Sequence, residues 1–220
     1  MKIELKQEKL KWNLKYEATT GSGEYIRIEA NRTIFPTVRS VNIWNEKNEV
    51  FTQLKEKRIL RKVLNKIPYL NLILPLIIRK KDKYDIYNND EKVGSLEWYL
   101  SFKTNVVYVK YGKKHYEVYN KAKGKLNRFY VFEDQKQIGI IDKDYITKWN
   151  ADRYVGDFNN DTDELLNIII MLFLDLSMYT EDTSNRLESR SREYTLWQIS
   201  NKKLNVLLND EWKSDEINSR

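Results

Sequence analysis

The chain has 220 residues, of which 41% are hydrophobic and 32% charged, and its formal net charge is +7. That apolar fraction supports a core and excludes a disordered chain, while the length fits one all-β barrel or sandwich plus a tail. The lack of cysteine excludes disulfide scaffolds, thiolate metal sites and cysteine nucleophiles together, and is compatible with a reducing, intracellular setting.

Fifteen tyrosines, six tryptophans and seven phenylalanines suit pleated, half-buried surfaces. Glycine and proline are scarce, so clusters of Asn, Asp and Lys must form most of the turns. Residues 1–20 open with alternating charge (Lys2, Glu4, Lys6, Glu8, Lys9) instead of a basic start and an apolar stretch, so no signal peptide is expected. The sequon Asn31-Arg32-Thr33 is then a chance match. Residues 25–29 and 40–44 read as the first strands of a sheet.

Residues 55–81 break the strand pattern. Ile59, Leu60, Val63, Leu64 and Ile67 recur at helical spacing with cations between them, which predicts a short basic amphipathic helix from Lys55 that Pro68 ends. An apolar stretch interrupted by Pro75 follows, and then the cluster Arg79-Lys80-Lys81.

From Lys83 to Phe158 short alternating segments succeed one another at about ten-residue intervals, the pattern of an antiparallel meander. The segments are residues 84–87, 92–98, 105–111, 115–119, 128–132, 137–141 and 153–158. Residues 165–176 are then apolar on nearly every face. Crossing a bilayer takes about 20 apolar residues, so this shorter run predicts a helix buried in protein, spanning 162–178. Asp161, with Glu164 three positions on, reads as its cap. A helix that is apolar all round needs partners all round, which an enclosing shell of strands provides. Residues 180–185 are polar and read as a linker, and residues 180–220 as a helical extension in which Tyr194, Leu196, Trp197, Leu204, Val206, Leu207, Leu208 and Trp212 suggest an appendage that docks elsewhere.

The meander, the segment Asp152-Arg153-Tyr154-Val155-Gly156-Asp157-Phe158, an acidic turn and an all-round apolar helix ending in an aspartate together resemble the tubby C-terminal-like superfamily. That group includes the LURP-one-related proteins, the phospholipid scramblases and small bacterial tubby-like proteins. The resemblance covers about residues 25–179 and rests on order and patterning. It implies a mainly β fold: a closed antiparallel barrel of about twelve strands around a central hydrophobic C-terminal helix. Here that barrel occupies residues 1–179 and carries the helical insert at 55–81. The resemblance also implies a binding domain, not an enzyme, because animal tubby members bind phosphoinositides through basic residues and scramblase-like members are linked to phospholipids. No phosphoinositide motif of the family maps onto particular residues of this chain.

Other constellations have plainer readings. His115 is the only histidine and lies in an alternating strand, with no Gly-x-Ser-x-Gly elbow to make it a triad centre. Asp157, Asn159, Asp161 and Asp163 alternate like the start of a calcium loop, but Thr162 stands where glycine is needed and Ile168 where the bidentate glutamate is needed. Asp142 with Asp144, and Glu181 with Asp182, are ordinary turn or surface carboxylates. Tyr108, Lys110, Tyr111, Lys113 and Tyr116 interleave like a stacking platform for single-stranded nucleic acid, yet in a strand Tyr108 and Lys110 share a face that Tyr111 does not. No catalytic residue, metal ligand or cofactor is expected.

The feature that points to function is the basic insert. Lys57, Arg58, Arg61, Lys62 and Lys66 precede an apolar patch and Arg79, Lys80 and Lys81 follow it, an arrangement suited to an anionic lipid interface. The same residues also fit a helical hairpin packed on one end of the barrel with its cations solvated. The expectation is a cytoplasmic domain, without a transmembrane segment, that recognises anionic phospholipid at the inner membrane surface. The alternative is a soluble bacterial protein-interaction domain, an immunity or regulatory partner of another protein.

Overall fold

The structure is a computed structural model, and it describes residues 1–8, 14–31, 39–45, 49–57, 80–100, 105–123, 126–143, 152–178, 207–209 and 211–212. Twelve strands run through these residues: β1 (Lys2–Gln7), β2 (Leu14–Thr19), β3 (Tyr25–Ala30), β4 (Ser40–Trp44), β5 (Val50–Glu56), β6 (Lys80–Asn88), β7 (Glu91–Leu100), β8 (Asn105–Tyr111), β9 (Lys114–Lys123), β10 (Leu126–Glu133), β11 (Lys136–Lys143) and β12 (Arg153–Phe158). Each pairs antiparallel with its neighbours in sequence, and β12 pairs with β1, so the sheet closes into a barrel. Closure removes the exposed edges that would otherwise template aggregation. Helix α1 (Glu164–Met178) follows β12 and fills the lumen.

Alternation builds the wall. In β1, Ile3, Leu5 and Gln7 point inward and are buried while Lys2 and Lys6 are exposed, and in β2 the buried residues are Leu14, Tyr16 and Ala18. The helix has no polar face because it needs none: Ile168 through Leu174 are each wholly buried and belong to one cluster with the inward residues of the strands. The apolar run at residues 165–176 thus lies inside a closed cylinder, as its composition requires. The outer wall carries ion pairs such as Lys15–Glu29 at 3.5 Å, Lys114–Glu133 at 2.9 Å and the two-pronged Arg128–Asp142 pair. No helix among the described residues is long and apolar enough to cross a membrane.

Two positions close tightly. The Asn89-Asp90 and Asp134-Gln135 turns have positive φ at both residues (46° and 65°, 47° and 69°), the two-residue hairpin geometry that follows strand twist. Phe158, the last residue of β12, lies across Gly139 and Gly156, where a methyl group on either glycine would collide with its ring.

Three details differ from the sequence expectations. Strands β1, β2 and β5 are additional to those foreseen. The stretch read as a helix from Lys55 begins instead as strand: Lys55 pairs with Ser40 and Asp85, and Glu56 with Tyr84, because cross-strand pairing and the Arg39 N–H bond to the buried Glu56 carboxylate outweigh a local helical pattern. Lys80 and Lys81 likewise open β6, and residues 58–79, with the rest of the expected insert, lie outside the described residues. The helix cap is Asp163, not Asp161: its Oδ1 accepts the Leu166 N–H at 2.9 Å, while Asp161 is exposed. Thr162 supports this start by donating to the Asn159 carbonyl at 2.7 Å and accepting from Asn167 Nδ2 at 2.8 Å.

Candidate functional site

The up-and-down topology gives the barrel two unlike ends. Helix α1 enters at one end, beside the N-terminus, where the Met1 ammonium donates to the Phe158 carbonyl at 2.6 Å, and points its last turn at the other. The turns β2–β3, β4–β5, β6–β7, β8–β9 and β10–β11 and the β12–α1 link share the entry end, and the six remaining connections between strands share the exit end.

The lumen at the exit end is polar. Asp175, in the last turn of α1, is wholly buried and accepts hydrogen bonds from Tyr16 Oη at 2.6 Å and Tyr154 Oη at 2.9 Å. Beside it Lys143 pairs with Asp152 at 2.6 Å and lies 5.6 Å from the centre of the Tyr154 ring. Opposite, Arg39 Nη1 donates to the Leu176 carbonyl at 2.9 Å, placing a buried cation at the negative end of the helix dipole, and its backbone N–H donates to Glu56 Oε2 at 2.9 Å. Tyr84, aligned with Glu56 across the strands, turns its ring edge-on to Phe173 at 5.5 Å and joins this layer to the apolar core.

The electrostatics follow from burial. Burial of Asp175, together with the charge of Asp152, pushes its carboxyl up to about 7 although the two tyrosine hydroxyls favour the charged form. Burial and the Asp175 charge raise the Tyr16 phenol well above its ordinary value, so Tyr16 stays a donor. These hydrogen bonds tie the last turn of α1 to β2, to β12 and to the residue before β4, which fastens the helix in the barrel.

Charge separates between the two ends. The connections at the exit end contain thirteen lysines and arginines against three acidic residues, Glu8, Asp144 and Asp152, a net of +10. The connections at the entry end contain Lys47 and Lys113 against seven acids, a net of −5. The exit-end connections also carry Trp12, Phe35, Phe102, Tyr145 and Trp149 as well as the apolar part of residues 58–79.

Of the residues expected to meet lipid, Lys57 lies just beyond β5, where its Nζ is 3.2 Å from Asp85 Oδ2, and Lys92 reaches the other oxygen at 3.0 Å. Burial works against ionisation of Asp85, but the bonds from Lys92 and Lys57 outweigh it and hold the carboxyl below its ordinary value. Lys80 and Lys81 enter at the start of β6. Arg58, Arg61, Lys62, Lys66 and Arg79 lie outside the described residues. Glu56 and Lys80, the strand ends that this connection joins, lie at the exit end, as do the strand ends that flank five other connections. The interleaved aromatic residues do not form one platform: Tyr108 and Lys110 are exposed, and Tyr116 is in the core.

Fold and sequence define a class: a closed twelve-stranded antiparallel barrel with a helix filling its lumen and a strongly basic sequence in the connections that join strands at the helix-exit end. Comparison with protein-family models, with curated proteins and with solved structures finds no match to the chain.

Proposed function

We propose that the protein is a non-catalytic, tubby-like binding domain that docks on anionic phospholipid through the helix-exit end of its barrel, peripherally at the inner face of a membrane. The observation that carries this reading is the charge separation of +10 against −5 between the two sets of connections. Such a dipole orients the molecule in the field of an anionic surface, where each basic residue near the headgroups contributes about 1 kcal/mol. Because α1 fills the lumen, recognition falls to the rim, and the aromatic and apolar residues of the rim connections suit the headgroup boundary. Kinship with the tubby C-terminal-like superfamily is supported by the closed twelve-stranded wall and the enclosed C-terminal helix.

The test is co-sedimentation with phosphatidylglycerol or phosphatidylserine vesicles and with neutral phosphatidylcholine vesicles. Binding is expected to the anionic vesicles alone and to weaken as ionic strength rises through about 0.1 M, where the screening length is ~10 Å. The triple reversal Arg58→Glu, Arg61→Glu, Lys62→Glu should abolish it, and Lys113→Glu at the opposite end should not. No binding to either anionic lipid, or equal loss from both variants, sinks the reading.

A further inference from the structure

A second surface lies on the outside of the wall. Residues 129–132, Phe-Tyr-Val-Phe, are apolar without alternation, and all four are buried. Phe129 and Val131 face the lumen core, whereas Tyr130, Phe132 and Ile140 form a separate cluster on the outer face, with Tyr119 packed against it. Strand register sets Tyr119, Tyr130 and Ile140 in one row across β9, β10 and β11, and Gln137 opposite Phe132. What covers this row is the chain's own C-terminal region: Leu208 and Trp212 pack on it.

The covering segment is a small hook. Asn209 Oδ1 accepts the Glu211 N–H at 3.0 Å, and the Asn209 carbonyl accepts the Trp212 N–H at 3.3 Å. These bonds close a turn that presents Leu208 and Trp212 to the same face, and they lie within the hook itself. The wall contacts it through apolar anchors and through Gln137, whose Nε2 donates to the Asn209 carbonyl at 3.2 Å and whose Oε1 accepts the Asn209 N–H at 3.0 Å. Gln137 thus reads backbone, as a strand partner does, and no hook residue belongs to the lumen core.

We propose that the outer face of β9–β11 is a peptide-docking site for a turn of the form Leu-Asn-x-x-Trp, occupied in cis by residues 208–212. Residues 179–206 separate the hook from α1 in sequence. An intramolecular occupant at an effective concentration of order 1 mM weakens a free peptide that binds at ~0.1 mM about tenfold. A partner bearing the same turn would compete with the hook for this face, at a site separate from the lipid-facing end.

The test uses the full chain and a fluorescein-labelled peptide of residues 203–214. The double variant Leu208→Ala, Trp212→Ala, which alters the hook alone, should bind the peptide at least tenfold more tightly than the wild type by fluorescence anisotropy. Adding Gln137→Ala should weaken that binding several-fold, and a peptide with Ala in place of its own leucine and tryptophan anchors should not bind. Equal binding to wild type and variant, or to neither, overturns the proposal. So does loss of cooperative thermal unfolding in the double variant, which would make the hook part of the core and not an occupant of a site.

Discussion

Tyr16 donates its phenolic hydrogen to Asp175 Oδ2 over 2.6 Å, tying the second strand to the last turn of the lumen helix across 159 positions of sequence. With Tyr154 on the other carboxylate oxygen, this carboxyl is held by two walls of the barrel at once, and its titration reports on the seating of the helix.

A pH dependence follows. The Asp175 carboxyl rises from 3.8 to about 7 in the folded protein, so the folded state holds this proton more tightly than the unfolded chain does. Its contribution to stability is therefore fully present below about pH 4 and is lost as pH rises through about 7, a swing of a few kcal/mol. Melting of Asp175→Asn, followed by circular dichroism, should vary less over this window than melting of the wild type. Parallel pH profiles for the two proteins would contradict the assignment.

Arg39 is the second fastening of the same helix end. Its guanidinium is buried on the Leu176 carbonyl and its backbone on Glu56, so Arg39→Met removes a cation from the helix terminus and leaves the Glu56 carboxylate buried beside it. Leaving the buried Leu176 carbonyl without its charged donor costs about 1–3 kcal/mol. Arg39→Lys should recover part of this, since an ammonium keeps the charge but not the planar fork. Urea midpoints for the two variants should rank Met below Lys below wild type, and a Met variant as stable as the wild type would remove Arg39 from this role.

The strands most legible in the sequence were those in which alternation and turn residues agree: β8 at Asn105–Tyr111 and β12 at Arg153–Phe158 begin and end where the pattern does. Strand β1 offers only Ile3 and Leu5 as apolar inward residues, and the inward residues of β5 include Thr52 and Glu56, so their apolar signal is weak. The polar layer was illegible for a different reason. Asp175 looks like the end of an apolar run until Tyr16 and Tyr154 are brought to it, and that pairing is tertiary. The charge asymmetry between the two sets of connections was visible only as the 55–81 cluster, because adding Lys9, Lys11, Arg32, Lys103, Lys125 and Lys148 to it requires knowing which connections join strands at the same end. The outer apolar cluster did leave a trace. Four consecutive apolar residues at 129–132 mark a strand covered on both sides, and Leu208 and Trp212 supply the second cover.

Phe158 is the packing key where the barrel closes. Its ring occupies the space that side chains at Gly139 and Gly156 would need, so Gly139→Ala and Gly156→Ala each force the ring or the backbone to move, at about 1–3 kcal/mol. In the Gly156→Ala background, Phe158→Leu should cost less than it does in the wild type, because the smaller side chain relieves the collision. A double-mutant cycle by chemical denaturation reads this coupling directly, and additive effects would show that the ring and the glycines do not interact.

The helix start separates two neighbouring aspartates. Asp163 accepts the Leu166 N–H and caps α1, whereas Asp161 is exposed in the preceding turn. Asp163→Ala should therefore cost about 1 kcal/mol, and Asp163→Ser should restore most of it, since a hydroxyl caps as a carboxylate does. Asp161→Ala should change stability by no more than about 0.5 kcal/mol. In a surface helix a lost cap can be absorbed by fraying of the first turn. Here Leu166 and the wholly buried residues from Ile168 onward pin that turn inside the barrel, so the first turn cannot loosen without disturbing the lumen core. The cost should accordingly appear in the global unfolding transition, as a shifted urea midpoint with an unchanged slope. A larger loss at Asp161 than at Asp163 would move the cap back to the position that the sequence pattern alone suggests.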